Sequence, residues 1–390
     1  MTYDFDTNKN NEEIIYLDNA ATTKVRREVF ETMKSFWTDE YANPSSIYRS
    51  ARASRKEIEK SRETVSAFLG AQPEEIFFTS GGTESDNWAL VASAMAFKEK
   101  GRHIITSKIE HPAVLNTCKY LEALGFEISY IDVDEFGLIK INELEAAIRK
   151  DTILISVMFA NNEIGTIQPI AQIGEIAKRR GIYFHTDAVQ TFGHERINVD
   201  EMNIDMLSAS GHKFGGPKGV GILYIRNSVR IGSLIHGGSQ ERGRRAGTYN
   251  TPGIVGFGKA TELSSKELEA SRRKEIELRD YLISRIKREI PGVVLNGHPS
   301  MRLSNNANFC IRGISGESLL ILLDQKNICA SSGSACTSGS LEPSHVLLAI
   351  GRSAIEAEGE LRLTLSADTT IAEINSAIDA IKESVNRLRA

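Results

Sequence analysis

The sequence predicts an α/β protein with a mostly parallel sheet covered on both faces, followed by a smaller second domain. Seven short β-rich runs, at residues 76–79, 103–106, 128–131, 153–159, 182–185, 206–208 and 220–225, alternate with helical stretches such as 88–98, 141–149 and 170–180. Repeated strand–helix–strand alternation of this kind builds parallel sheets. The alternation stops near Thr261, where a long charged helix carries Ile276, Ile283, Ile286 and Ile290 and ends at Pro291-Gly292. The 390 residues amount to about 2.6 units of roughly 150, which suits two domains better than one.

The elements follow in order. Residues 1–13 are polar and partly acidic, and then come Tyr16-Leu-Asp-Asn-Ala-Ala-Thr-Thr23 and an amphipathic helix with Val25, Val29, Phe30, Met33, Phe36 and Trp37 at helical spacing. A second helix is expected over 52–69, with Ile58, Val65 and Leu69 on one face and Gly70 placed to end it. The seven β-rich runs complete a first domain over 16–261, and residues 1–15 with 262–390 make the second. The last helix opens on a capping box, Thr370 and Glu373, and spaces Ile371, Ile374, Ile378, Ile381, Val385 and Leu388 along one stripe, which reads as core rather than a partner surface.

Composition narrows the function. With 41% hydrophobic and 25% charged residues the chain can bury a core and is not mainly disordered. The 47 basic and 51 acidic residues leave a net charge of -4, so no bulk positive field draws it to nucleic acid, and neither nucleic acid nor membrane is an expected partner. No apolar run approaches the roughly 20 residues of a bilayer span, and the start does not read as a signal peptide. Four cysteines, Cys118, Cys310, Cys329 and Cys336, form no Cys-x-x-Cys pair, which suits a reducing, cytoplasmic setting and no metal site of their own.

Three segments carry chemistry. Phe77-Phe-Thr-Ser-Gly-Gly-Thr-Glu84 leaves a strand, turns through two glycines and enters a helix, which makes either a cup for a phosphate or an ordinary tight turn. It is neither a Walker loop nor a Gly-x-Gly-x-x-Gly fingerprint. Ile182-Tyr-Phe-His-Thr-Asp-Ala-Val-Gln190 puts Asp187 at the carboxyl end of an apolar strand, where ligands bind in open α/β sheets, although a helix N-cap would also explain it. Ser208-Ala-Ser-Gly-His-Lys-Phe-Gly-Gly-Pro-Lys-Gly219 sets Lys213 among small residues just past another strand, as a desolvated nucleophile or as a surface lysine. Together they supply a phosphate cup, an acid able to protonate a pyridine nitrogen and a lysine able to form an imine, the parts of a pyridoxal-phosphate site. His111, after the strand at 103–106, either stacks on the cofactor ring or caps the helix begun by Pro112.

Cys336 lies in Ala330-Ser-Ser-Gly-Ser-Ala-Cys-Thr-Ser-Gly339, with no hydrophobic period to bury it, so a mobile loop over about 330–341 and an accessible thiol are expected. Cys118, Cys310 and Cys329 sit in apolar patterns and read as core thiols. Arg230, Arg242, Arg244 and Arg245 cluster near flexible glycines, for an anion, a subunit contact or solvent. Arg362 is a cation inside an apolar strand and requires a carboxylate partner, internal or a substrate's.

The whole resembles the cysteine desulfurases of the NifS/IscS type, class V aminotransferase-like pyridoxal-phosphate enzymes. The resemblance covers about 16–366, through Tyr16-Leu-Asp-Asn-Ala-Ala-Thr-Thr23, Asn43-Pro-Ser-Ser46, 79–84, Glu110-His111, Asn161-Asn-Glu-Ile-Gly165, Asp187-Ala-Val-Gln190, 208–219, 240–248 and 332–338. It implies the aspartate aminotransferase-like fold, with a seven-stranded sheet in the large domain and a smaller α+β domain. It implies that Lys213 holds pyridoxal 5'-phosphate through an imine, Asp187 pairs with the pyridine nitrogen and His111 stacks on the ring. Gly82, Thr83, Ser210 and His212 would hold the phosphate, with Asn162 and Gln190 near the ring oxygen. Asn162 and Arg362 would meet the substrate carboxylate, and Thr248 would reach the phosphate of the neighbouring subunit in a homodimer.

By the same resemblance, L-cysteine becomes L-alanine while Cys336 takes the sulfur as a persulfide. The loop then presents it to an acceptor protein, such as an iron–sulfur cluster scaffold or a partner in thio-cofactor or tRNA biosynthesis. Cys336 is also the one thiol that could ligate an iron–sulfur cluster through a scaffold. The chain ends at Ala390, before the extension that several family members use to grip such a scaffold, and Ser366 stands where glycine is common. A selenocysteine lyase would share nearly every cofactor residue, and the Cys336 loop speaks for ordinary cysteine. A non-catalytic scaffold of the same fold would have no need of Lys213 and Cys336 together.

Overall fold

A computed structural model describes residues 14–333 and 343–390. Cys336, with most of the 330–341 loop and the polar start, lies outside the described residues. Strand β1 (Ile15–Tyr16) opens the chain, and the large sheet follows with β2 (Ile76–Thr79), β3 (His103–Ser107), β4 (Glu127–Ile131), β5 (Thr152–Ser156), β6 (Tyr183–Asp187), β7 (Met206–Ser210) and β8 (Gly221–Ile225). Its order is β2-β8-β7-β6-β5-β3-β4, with β7, β6, β5, β3 and β4 parallel and β8 antiparallel to both its neighbours. All seven expected runs are strands of this one sheet. The run expected over 153–159 stops as a strand at Ser156, but Val157 and Phe159 still donate to the carbonyls of His185 and Asp187.

The smaller part contains β9 (Val293–Asn296), β10 (Asn306–Ile311), β11 (Ile328–Cys329) and β12 (Glu360–Thr364). Strands β12, β10 and β9 form an antiparallel sheet, and β11 pairs with β1 in parallel. The helix Thr251–Glu289 joins the two parts: Ile254, Phe257 and Ala260 pack into the core beneath the large sheet, whereas Leu282 and Ile286 pack with the final helix, Ile371–Arg389. The change of core within one helix supports a division there, and we propose the domain boundary near Thr261. Among the described residues no helix is long and apolar enough to cross a membrane.

Local signals are realised where backbone geometry demands them. Gly70 ends the helix Arg49–Leu69 at φ 69°, the left-handed conformation that costs glycine nothing. Thr370 and Glu373 form the capping box, and Ile374, Ile378, Ile381 and Val385 are fully buried. Two expectations need correction. Phe30 and Trp37 of the helix Arg27–Thr38 are more than half exposed, because the buried stripe of Val29, Met33 and Phe36 is narrower than the apolar pattern. Cys329 is half-buried in the two-stranded pair, unlike the fully buried Cys118 and Cys310.

Three of the four clustered arginines have partners within the chain, although Arg242, like Arg230, remains exposed. Arg242 and Arg244 lie over the Phe77 ring, and Arg245 pairs with Glu84 in the first turn of the helix Gly82–Phe97. Its neighbour Glu241 reaches inward, where both its oxygens accept from the buried Arg62 guanidinium at 2.8 and 2.9 Å, and Oε2 also accepts the Phe78 N–H of edge strand β2. The positive φ of Glu241 and Arg242, 45° and 59°, is strain that these bonds hold in place. Glu241→Ala leaves Arg62 buried with its main partner gone. It is expected to lower unfolding free energy by about 3–5 kcal/mol, read from the urea midpoint at unchanged slope.

Candidate active site

The site is built at the carboxyl ends of the parallel strands. Strand β6 ends on Asp187, and β7 ends on Ser210 and runs into the tight turn Gly211–Lys213. After β2 the chain turns through Ser80 and Gly81 into the helix Gly82–Phe97, and His111 sits at the N-cap of the helix Pro112–Ala123. Arg362 enters from β12 of the smaller part. These elements enclose a cavity of ≈ 220 Å³ that brings together Gly82, Thr83, His111, Asn162, Asp187, Gln190, Ser210, His212, Lys213 and Arg362. An adjoining cleft shares Gly82, Thr83, Ser210 and His212 and adds Lys218. Thr248 is exposed and lines neither, and Cys336 lies outside the described residues.

Lys213 is docked on the Tyr16–Thr23 motif: its Nζ donates to the carbonyls of Ala20 at 2.6 Å and Ala21 at 2.9 Å. Thr23 N–H donates to the His212 carbonyl, Gly215 N–H to Thr23 Oγ1, and Gln190 Nε2 to the Ala20 carbonyl, so the motif is laced to the lysine turn. Behind the turn His194 Nε2 lies 3.0 Å from the Lys213 carbonyl. Burial pushes the Asp187 carboxyl up, and the nearby His111, the Val189 N–H on Oδ1 and Lys213 draw it back.

His111 caps its helix, one of the two sequence alternatives, and also lines the cavity. Its Nδ1 accepts the Ala113 N–H at 3.1 Å, and burial lowers its pKa, so the neutral ring carries its proton on Nε2. His212 is pushed down to about 4 by burial, with Lys213 and Lys218 adding to it. Arg362 has an internal partner, Asp18, at 2.9 Å from Nη2. Its Nη1 donates to the Asn162 carbonyl, and its buried Nε has no partner among the described residues.

The residues fit pyridoxal phosphate. A primary amine and a buried carboxylate line one cavity, as an aldehyde-bearing pyridine requires. A Cβ on Gly82 would collide with Val189 Cγ2, so the backbone there is open to close approach only as glycine. The cleft beside it opens on the N-terminus of the helix Gly82–Phe97 with Lys218 nearby, a setting for a phosphate dianion. Among the described residues no cluster of His, Cys, Asp and Glu could hold a metal ion.

Comparison with known proteins agrees with this chemistry. The family model for aminotransferase class-V matches residues 15–376. The chain is 56% identical to the cysteine desulfurase IscS of Methanosarcina thermophila, over 96% of this chain and 93% of that one. It is 52% identical to the IscS of Dictyoglomus turgidum over 96% and 95%. Among solved structures it resembles a NifS-like protein at TM-score 0.91 and 40% identity, over 96% of this chain and all of that one. It also resembles SspA in complex with cysteine at TM-score 0.82 and 41% identity, over 91% and 99%. The chain belongs to the cysteine desulfurases of the class V aminotransferase family, and enzymes of this family depend on pyridoxal phosphate.

The sequence motifs Tyr16–Thr23 and Glu110-His111 carried no role for Asp18 or Glu110, and Asp86 and His194 were passed over. Asp86, the fourth residue past Gly82, is a fully buried carboxyl whose pKa burial raises well above its ordinary value. Glu110 is pushed up to about 8 by burial and ties Ser107 to the Met158 N–H. The available signal was helical spacing for Asp86 and adjacency to His111 for Glu110; nothing local marks His194.

Proposed function

We propose that this chain converts L-cysteine to L-alanine and carries the released sulfur as a persulfide on Cys336. Bound pyridoxal phosphate supplies an electron sink for charge developing at the substrate Cα. The grouping of these residues around one cavity supports their proposed roles. Lys213 holds the cofactor and, once its amine is freed, takes the Cα proton. Asp187, buried beside the cavity, holds the proton of the pyridine nitrogen, while Gly82, Thr83, Ser210 and His212 receive the phosphate. His111, its orientation set by the Ala113 N–H, and Gln190 flank the ring. Arg362 and Asn162 orient the substrate carboxylate, with Asp18 aligning the guanidinium.

The Cys336 thiolate then attacks the substrate sulfur. An S–S bond forms as the Cβ–S bond breaks, the electron pair stays on carbon, and a proton completes the methyl group of alanine. The persulfide passes to an acceptor protein, such as an iron–sulfur cluster scaffold.

The observation that carries this reading is the meeting of Lys213, Asp187 and Arg362, from three elements and both parts of the chain, around one cavity. A homodimer is part of the proposal: Phe30, Trp37, Tyr41, Ile47 and Tyr48 expose apolar surface near the chain start, and Thr248 is exposed where a neighbour's phosphate site could meet it. To test the reading, the holoprotein is incubated with L-cysteine, alanine is assayed and the persulfide mapped by mass spectrometry. Alanine and a persulfide on Cys336 are expected; absence of alanine would overturn the assignment.

A further inference from the structure

The Asn161-Asn-Glu-Ile-Gly165 motif contains a carboxylate that the mechanism leaves unused. Asn161 Oδ1 accepts the N–H groups of Glu163 and Ile164, and Asn306 Nδ2 holds the Glu163 carbonyl, so this turn carries Glu163 into the junction between the two parts. There it meets Glu360, the first residue of β12. The two are only 5% and 2% exposed, which is rare for carboxylates that form no ion pair among the described residues.

Their bonds go to the two ends of the Cys336 segment. The Ser344 hydroxyl donates to Glu163 Oε2, and the Gly333 N–H donates to the Glu360 carboxyl, which also accepts Asn308 Nδ2 at 2.7 Å. A Cβ on Gly333 would collide with Glu163 Oε2 and Glu360 Oε1 alike, so both carboxyls press on the same glycine. Two residues earlier Ser331 pairs with Arg362, their backbones exchanging hydrogen bonds at 2.6 and 3.2 Å. Glu360 and Arg362 alternate on one face of β12, so the anchor of the segment and the cation of the cavity share one strand.

We propose that Glu163 and Glu360 are positioning residues that clamp Gly333 and Ser344, and so set where Cys336 works relative to the cavity. The inference rests on the reading of Cys336 as sulfur acceptor. Cys336 is three residues past Gly333, and three extended residues span only about 10 Å, so fixing Gly333 fixes the volume the thiol can search. The groups facing the pair are Arg362 from the same strand and Cys310 from β10; Nη1 and Nη2 of Arg362 are committed to the Asn162 carbonyl and Asp18, so its charge acts on the pair without an ion pair to either carboxyl. Burial raises both carboxyls, Glu360 to about 7 with Glu163 adding to it while Arg362 draws both back, so burial favours the protonated form in which a carboxyl donates as well as accepts.

The test compares Glu163→Ala, Glu360→Ala, Glu163→Gln, Glu360→Gln and Gly333→Ala in holoprotein. Two quantities are read: the single-turnover rate of persulfide formation on Cys336, and the cysteine concentration that half-completes the cofactor absorbance change. The Ala variants and Gly333→Ala are expected to slow persulfide formation by roughly tenfold to a hundredfold, with the half-point moved less than about twofold. Each Gln variant keeps an acceptor for its flank and should stay within about threefold of wild type. Gly333→Ala keeps both carboxyls, so it decides the matter should an alanine variant fail to fold. Wild-type persulfide rates in Gly333→Ala, Gln variants as slow as Ala variants, or a half-point that moves in step with the rate would overturn the proposal. A wild-type persulfide on a residue other than Cys336 would instead remove the reading on which it rests.

Discussion

Lys213→Ala is expected to abolish cysteine turnover, by about 10⁴-fold or more, together with the visible absorbance of bound cofactor. Among the described residues Lys213 is the only lysine lining the cavity, and Lys218 lines only the adjoining cleft. The variant should still fold. The lost bonds run from Nζ to the carbonyls of Ala20 and Ala21, a cost of about 1–3 kcal/mol at most. The turn stays laced through Thr23, His212 and Gly215. Circular dichroism should therefore match wild type while the absorbance is missing. A variant that keeps turning over cysteine would remove Lys213 from the mechanism.

Cys336→Ala separates the two halves of the reaction. The described residues that line the cavity are all kept in this variant, so it should bind cofactor and show the absorbance change on adding cysteine. Sulfide release in the presence of a reducing thiol should fall by about 10²-fold or more, because the thiol proposed to take the sulfur is gone. The remaining cysteines are poor substitutes. Burial pushes the Cys118 thiol up to about 12 and Cys310 to about 11, so neither is a thiolate at neutral pH, and burial raises Cys329 as well. Undiminished release would move the nucleophile elsewhere, and an enzyme that kept acting on selenocysteine alone would favour the lyase reading.

Much of the site was legible because its residues sit at places where local pattern is unambiguous. Asp187 closes an apolar strand, Lys213 follows another in a run of small residues, and Gly82 and Thr83 open a helix after a glycine turn. Each placement depends on a few neighbouring residues whose period of two or 3.6 is set by the backbone. The smaller sheet was less legible: Asn306 and Asn308 alternate with Ala307 and Phe309 in β10 yet are just as buried, so polarity there does not mark a solvent face.

The amino-acid sequence by itself determined the alternation of strands and helices, the caps at Gly70 and Thr370, and the order in which a glycine turn, an acid and an amine arrive at one sheet crest. Only the tertiary structure decided which charges meet. Asp18 finds Arg362 across 344 residues, Glu241 finds Arg62 across 179, and Glu163 meets Glu360 beside Gly333. The reason is physical: periodicity follows from bonds between near neighbours, whereas a buried carboxylate takes its partner from whatever the packed core places within hydrogen-bond reach.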